Sequence, residues 1–154
     1  MSHTDVFQKL IGTWEGTCRT WFEPETLADE SPVTGEITEA LEGRFLRHTY
    51  SGMMQGKPRH GEDLIAYNKI TQSYQSSWID SFHTNGAILF AQGAETASGF
   101  SVLAHYDIAA GEPQWGWRTE YDLREDGSLI ITAYNRIPGE AEAKAVETIY
   151  RRIV

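Results

Sequence analysis

Strand-length runs separated by short turn signals recur along the whole chain of 154 residues. The runs are 13–23, 34–41, 44–54, 59–67, 73–82, 87–94, 99–107, 114–124, 128–137 and 145–153. Pairs such as Asn85-Gly86 and Asp126-Gly127 between them are favoured where a hairpin turn needs positive φ. Long strands joined by tight turns predict an antiparallel meander, and closing it removes the unpaired edges. We therefore predict a single all-β domain over residues 1–154, an up-and-down β-barrel of about ten strands.

An amphipathic segment precedes the first strand, and we predict a short helix over residues 4–11. Ser2 or Thr4 supplies a hydroxyl that can cap its first turn. Its apolar side chains recur at i, i+3 and i+4: Phe7, Leu10 and Ile11. Because two helical turns are not stable alone in water, we expect this face to pack against one end of the barrel.

The segment from Glu23 to Val33 differs in composition from its surroundings. It contains Pro24 and Pro32, together with four carboxylates: Glu23, Glu25, Asp29 and Glu30. This composition predicts a solvated surface loop between the first two strands, with a lid over the barrel mouth as the alternative.

Charge and composition exclude several classes of protein. A formal net charge of −9 makes nucleic acid and anionic membranes poor partners. No apolar run approaches the ~20 residues of a membrane span, and the first residues lack the pattern of a signal peptide. The single cysteine, Cys18, cannot form an intrachain disulfide, which is typical of a reducing compartment. We expect a cytoplasmic protein, and a homodimer stays open as its oligomeric state.

Strand period two predicts which side chains face the interior. In the first strand we place the less charged face inside: Trp14, Gly16, Cys18, Thr20 and Phe22. A two-residue turn at Asn85-Gly86 would pair Phe82 with Leu89, Asp80 with Ala91 and Trp78 with Gly93. This register puts the Asp80 carboxylate inside, between Trp78 and Phe82.

The hairpin at Glu125-Asp126-Gly127 separates its two faces if a three-residue loop ends in a glycine bulge. The inward residues are then Trp115, Trp117, Thr119, Tyr121 and Leu123 on one strand, and Leu129, Ile131, Ala133, Asn135 and Ile137 on the other. The charged residues fall on the opposite face: Arg118, Glu120, Asp122, Arg124 and Arg136. A two-residue turn would mix the sets, so the pattern favours this register. Asn135 becomes an amide among tryptophans that needs an internal hydrogen-bond partner.

Asp80 is the candidate of greatest chemical interest. Among aromatic rings, its pKa would rise unless a cation or several donors met it. It could hold the polar group of a ligand or act as a general base, or it could be a structural anchor. Arg47 is its predicted partner, and Arg47 shares a face with Phe45, Thr49 and Ser51. The register of the hairpin formed by 44–54 and 59–67 stays open.

A barrel of about ten strands leaves space that its side chains do not fill, which favours an internal cavity. The predicted ligand-binding residues are Asp80, Asn135, Trp78, Trp115, Trp117, Tyr121 and Arg47. None of the five histidines forms a close-spaced pair, and His48 with His60 across one hairpin is a weak candidate, so we predict no metal site. No glycine-rich phosphate loop opens a helix, and we expect no cofactor.

Several motifs resemble known families. Gly12-Thr13-Trp14 after a short helix, and Tyr150-Arg151-Arg152 in the last strand, resemble the calycins, the lipocalin and fatty-acid-binding-protein superfamily. More narrowly, four segments are similar to an uncharacterised bacterial family, domain-of-unknown-function family 1579. They are Glu42-Gly43-Arg44-Phe45-Leu46, Gly52-Met53-Met54-Gln55-Gly56-Lys57-Pro58, Ser77-Trp78-Ile79-Asp80-Ser81 and Glu147-Thr148-Ile149-Tyr150-Arg151-Arg152. The resemblance covers nearly the whole chain and implies a lipocalin-like barrel.

The resemblance also implies structural roles at the base of the barrel. In calycins the matching arginine stacks across the tryptophan, which implies this contact for Trp14 and Arg152, with Arg151 as the alternative. The family has no established catalytic residues, so the resemblance implies none here.

Three functions follow as hypotheses. The first is a binding module that holds a small, largely hydrophobic ligand in the cavity. The second is an enzyme acting on a hydrophobic small molecule with Asp80 as acid or base, and we favour it less. The third is haem binding, as in the nitrobindin-like barrels that also begin Gly-x-Trp-x-Gly, here Gly12 to Gly16. Haem needs an axial histidine at the cavity mouth, and the sequence places none there.

Overall fold

Ten antiparallel strands close into one barrel in the computed structural model, which describes residues 1–153. The elements are α1 (His3–Leu10), β1 (Gly12–Glu23), β2 (Thr26–Ala40), β3 (Phe45–Met54), β4 (Lys57–Asn68), β5 (Ser73–Asp80), β6 (Leu89–Thr96), β7 (Gly99–Tyr106), β8 (Trp115–Leu123), β9 (Leu129–Arg136) and β10 (Ala143–Arg152). Each strand pairs with the next along the chain, and β10 pairs with β1 to complete the barrel. The predicted up-and-down barrel with one N-terminal helix is confirmed.

Helix α1 lies one residue earlier than predicted, and Ser2 caps it. The Asp5 backbone N–H donates to Ser2 Oγ (3.1 Å) and the Ser2 backbone N–H to the Asp5 carboxylate (3.3 Å), which forms a capping box. Its buried side chains, Val6, Phe7 and Leu10, belong to the barrel core. The helix therefore covers one end of the barrel, as its apolar face predicts.

Trp14 and Arg152 meet at this end of the barrel. They lie opposite each other across β1 and β10, with the guanidinium carbon 4.3 Å from the ring centroid. Trp14 is fully buried, and its Nε1 donates to the Leu10 carbonyl (2.9 Å). Arg152 donates to the carbonyls of Ile11 and Lys9. Arg152, rather than Arg151, thus ties the last strand to both the tryptophan and the end of the helix.

The prediction of a loop from Glu23 to Val33 is wrong. Strand β2 begins at Thr26, and only Pro24 and Glu25 separate it from β1. Pairing of β2 with β3 starts at Val33, so Pro32 lies in a stretch that pairs with β1 alone. A proline is tolerated there because that edge of the strand has no neighbour that needs its N–H. The prolines and carboxylates therefore mark a two-stranded ribbon, not a loop or a lid.

The predicted register after β5 is also wrong. Trp78 pairs with Leu89 rather than with Gly93, because residues 81–88 form a loop. The Asn85-Gly86 turn is present, with positive φ at both residues, but it lies inside this loop. Phe82 consequently points outward and is 45% exposed.

Phe22, predicted inside, is exposed as well and stacks on Phe82 with the ring centroids 5.8 Å apart. The β1–β2 register shifts after Thr20, which changes the face that Phe22 occupies.

The hairpin of β8 and β9 follows the predicted register. Leu123 pairs with Leu129, Tyr121 with Ile131, and Trp117 with Asn135. The loop is closed by hydrogen bonds between Arg124 and Ser128 and from Gly127 to Arg124. This hairpin brings Trp117 and Tyr121 to the interior of the barrel.

Candidate functional site

A cavity of about 70 Å³, measured as the space open to the centre of a water molecule, lies inside the barrel. Part of its wall is apolar and includes Trp78, Leu89, Trp117 and Ile131. The rest carries hydrogen-bonding side chains, of which the larger ones are His48, Tyr50, Arg59, Asp63, Tyr121 and Tyr150. This volume holds on the order of five water molecules, or a compact molecule of similar size.

The β3–β4 hairpin supplies most of the polar wall. Its turn, Gln55-Gly56, has positive φ at both residues and pairs Met54 with Lys57. This register places His48 opposite Asp63, and Tyr50 opposite Gly61. A Cβ atom at position 61 would overlap the Tyr50 hydroxyl, so glycine there makes room for the phenol ring.

Asp80 is buried, and each of its two carboxylate oxygens accepts two hydrogen bonds. Its Oδ2 accepts from Arg59 Nε (3.0 Å) and from the Tyr50 hydroxyl. Its Oδ1 accepts from the backbone N–H groups of Phe82 and His83, each at 2.7 Å. Four donors surround this carboxylate.

The charges of this cluster compensate each other. Burial raises the pKa of Asp80, but the charge of Arg59 and the hydrogen bond from Tyr50 lower that pKa below its ordinary value overall. Burial likewise opposes the charge of Arg59, whereas Tyr50 and Asp80 hold its pKa above the usual range. Arg59 also donates to Cys18 Sγ (3.3 Å), and Trp78 Nε1 donates to the Tyr50 hydroxyl (2.9 Å). This network is a closed structural unit in which Asp80 remains ionised.

Asp63 is different, because only half of its carboxyl group has a partner. Its Oδ2 accepts from the Tyr121 hydroxyl (2.7 Å), while its Oδ1 is buried with no hydrogen-bond partner among the described residues. The residue is 8% exposed and lines the cavity. Burial raises the pKa of Asp63 to about 7, and the bond from Tyr121 offsets that effect only in part. A carboxyl group in the cavity wall therefore has unused acceptor capacity.

His48 and Tyr150 complete the polar wall. His48 Nε2 lies 3.0 Å from the Tyr150 hydroxyl, and burial lowers the pKa of His48 to about 4. Burial also raises the pKa of Tyr150 and of Tyr121 above the ordinary value for tyrosine. Near neutral pH the imidazole and both phenols are therefore uncharged. None of these three side chains supplies a counter-charge to Asp63.

The structure brings together three of the predicted site residues. Trp78, Trp117 and Tyr121 line the cavity, with the two indole rings stacked 5.6 Å apart. Asp80 lies behind the wall in its own network, and Asn135 accepts a hydrogen bond from the Tyr106 hydroxyl (2.7 Å), the internal partner that its position requires. Neither Asn135 nor Trp115 lines the cavity; Trp115 packs edge-on against Tyr106.

Arg47 is not the partner of Asp80. Its side chain is 53% exposed and pairs with Glu62 (2.8 Å) on the outer face. The outer face of β3 carries Arg47 and Thr49, while Leu46, His48 and Tyr50 point inward, so strand parity excludes an internal role for Arg47.

His48 and His60 likewise lie on opposite faces of their hairpin, since His60 is exposed and bonded to Ser51 (3.0 Å). In residues 1–153, no group of three or more His, Cys, Asp or Glu side chains is arranged to hold a metal ion.

The large polar residues of the cavity wall that sequence reasoning missed are His48, Tyr50, Arg59, Asp63 and Tyr150. The signal for four of them was Gln55-Gly56, which could have been interpreted as a two-residue turn that fixes the register of the whole hairpin. The inward orientation of Tyr150 follows from the predicted contact of Trp14 with Arg152, because residues two apart on a strand share a face.

The fold and the cavity define this protein as a lipocalin-like barrel. The chain belongs to the family described as "Protein of unknown function (DUF1579)", whose match spans residues 2–152. No curated protein matches the sequence. None of the described helices is long and apolar enough to cross a membrane.

Solved structures of similar fold include the following two. One is Rv2717c from M. tuberculosis, at 13% identity and a TM-score of 0.67, with 100% of this chain and 99% of that chain covered. The other is the S-type phycobiliprotein lyase CPES from Guillardia theta, at 13% identity and a TM-score of 0.62, with 100% and 94% covered. At this identity the likeness extends to the barrel fold alone.

Proposed function

We propose that this protein binds a compact small molecule inside the barrel, with an apolar part against Trp78 and Trp117 and a polar group at Asp63. The observation that supports this proposal is that Asp63 belongs to the cavity wall and that its Oδ1 atom is buried without a hydrogen-bond partner in the described chain. Leaving a buried acceptor unpaired costs about 1–3 kcal/mol, so a ligand donor at this position gains that free energy on binding.

The size and polarity of the wall narrow the type of ligand. The cavity of about 70 Å³ is roughly half of the ~150 Å³ in which an apolar protein cavity binds benzene. Its wall combines two indole rings with several hydroxyl and carboxyl groups. A ligand with a small apolar body and a hydrogen-bond donor fits these features better than the largely hydrophobic ligand expected from the sequence.

If the protein is an enzyme, the acid–base residue is Asp63 rather than the Asp80 expected from the sequence. Asp80 is saturated by four donors, which leaves it no free oxygen for acid–base work. Asp63, with a pKa near 7, is the group that favours an acid–base reaction as the second candidate function. The two candidates separate by the fate of the bound compound, which a binding protein releases unchanged and an enzyme converts. We do not propose haem binding, because a porphyrin is much larger than this cavity.

Native mass spectrometry of freshly purified protein tests the proposal. We expect an added mass that disappears on denaturation, and less of it in Asp63→Asn than in the control Glu36→Gln, which removes an exposed carboxylate on β2. If the native protein carries no added mass, and no compound in a small-molecule screen changes its tryptophan fluorescence, the proposal is wrong.

A further inference from the structure

Resting on the proposed function, we infer that the cavity selects a small organic cation, a protonated amine whose N–H donates to Asp63 Oδ1 and whose apolar part lies against the aromatic wall.

The cavity contains one carboxyl group without a counter-charge. Arg59 is the cation in the cavity wall, but its Nε lies 3.0 Å from Asp80, whose side chain is fully buried, so these two charges compensate each other. Asp63 forms no ion pair with any described residue, and its single partner is the neutral Tyr121 hydroxyl. A ligand that donates a hydrogen bond satisfies Oδ1, but a cationic donor also supplies the missing charge.

The surrounding rings favour the same sign of charge. Trp78 lies directly opposite Asp63 across the β4–β5 pair, and Trp117 stacks on Trp78. Tyr121 reaches Asp63 from β8. The faces of indole and phenol rings attract cations, most strongly where water is excluded. An anion would instead meet the negative face of these rings and a carboxyl group that must stay protonated.

Asp63 is the cavity group that changes charge near neutral pH. The titratable groups that face it or share its cavity are His48 on β3, Tyr50 on β3, Arg59 on β4, Tyr121 on β8 and Tyr150 on β10. Burial lowers the pKa of His48 to about 4, and the tyrosines and Arg59 have pKa values raised above their ordinary range. Between pH 5.5 and 8 these groups keep one protonation state, so pH dependence of binding in this range reports on Asp63.

The experiment compares three probes that share one branched four-carbon skeleton and differ in charge: isobutylammonium, isobutanol and isobutyrate. Binding is followed by the indole N–H signals of Trp78 and Trp117 in NMR spectra at pH 5.5, 6.5, 7.5 and 8. At pH 8 we expect isobutylammonium to bind at least tenfold more tightly than isobutanol, and isobutyrate to bind more weakly than both. Because the cation binds ionised Asp63, its affinity should fall about tenfold per pH unit below the pKa of that group.

Two variants make the result specific. Asp63→Asn, which keeps the size of the side chain and an acceptor for Tyr121, should weaken isobutylammonium at least tenfold at pH 8 and remove the pH dependence. Glu36→Gln, which loses the same charge from the surface, should leave both unchanged.

The inference is overturned if isobutyrate binds best, or if isobutylammonium binds Asp63→Asn as tightly as the wild type. It is also overturned if isobutylammonium does not bind while native spectra show another compound in the cavity, a result that leaves the proposed function intact. Absence of any bound compound in both experiments contradicts the proposed function itself.

Discussion

Replacement of Asp80 by asparagine should be strongly destabilising. The carboxylate accepts hydrogen bonds from Tyr50, Arg59 and the backbone N–H groups of Phe82 and His83. An asparagine amide has one oxygen and one NH₂ group, so in either orientation two of these four donors face another donor. The side chains of Arg59 and Asp80 are only 8% and 0% exposed, so water cannot take over the lost interactions.

The magnitude follows from the buried ion pair. Removing one partner of such a pair costs about 3–5 kcal/mol, because the remaining charge stays buried and unpaired. The loop of residues 81–88 adds to this cost, since Asp80 Oδ1 holds its first turn and the Thr84 hydroxyl bonds to the Asp80 backbone. We therefore expect the free energy of unfolding to fall by about 3–5 kcal/mol.

Urea unfolding at pH 7, followed by tryptophan fluorescence, measures this change. The matched control is Glu62→Gln, which removes the carboxylate of the exposed pair with Arg47 (2.8 Å) and should cost no more than about 1 kcal/mol. If Asp80→Asn lies within 1 kcal/mol of wild type, or costs no more than Glu62→Gln, the assignment of Asp80 as a structural carboxylate is refuted.

Three further predictions concern stability. Asp63→Asn should stabilise the protein at pH 8, because folding raises the pKa of Asp63 from 3.8 to about 7. As the pH rises through this interval, the wild type loses up to about 4 kcal/mol of stability relative to the variant. Urea unfolding at pH 4, 6 and 8 measures this difference, and a difference that stayed constant would contradict the prediction. Trp14→Ala should cost about 3–5 kcal/mol in thermal unfolding, as expected for a large aromatic side chain lost from a core, and a normal melting temperature would show that the base contact with Arg152 is unimportant. Tyr74→Phe should be neutral or stabilising in the same assay, since the Tyr74 hydroxyl is buried without a hydrogen-bond partner, and a loss above about 1 kcal/mol would mean that this hydroxyl has a partner in solution.

Sequence patterns predict the barrel and one hairpin register because those features depend on simple alternation. In β8 four of the five inward residues are aromatic or aliphatic, and three of the four outward residues are charged, so the three-residue loop keeps the charged side chains on one face. The contact of Trp14 with Arg152 was implied by the resemblance of the first and last strands to calycins, and the structure shows it.

The polar half of the site could not be predicted in this way. Both faces of β3 and β4 carry polar side chains, with His48 and Asp63 inside and Arg47 and Glu62 outside. Alternation cannot distinguish such faces, so the register depended on whether the turn was Gln55-Gly56 alone or a longer segment. The prediction of Arg47 as the partner of Asp80, where the structure has Arg59, followed from that ambiguity.

Local hydrogen bonds explain the second error. Asp80 bonds to the backbone of Phe82 and His83, which ends β5 and competes with the sheet for those N–H groups. Strand periodicity carries no information about this competition. The Asn85-Gly86 signal therefore gave the correct turn but the wrong pairing of β5 with β6.

The most direct test of the account is a ¹³C NMR titration of the Asp63 side-chain carboxyl carbon, assigned by its loss in Asp63→Asn. For the free protein, an uncompensated carboxyl group in the cavity predicts a pKa near 7, which should fall when isobutylammonium is added. A pKa below 4 in the free protein would mean that Asp63 already has its partner within the protein, and it would contradict the proposal that this carboxyl group receives a ligand.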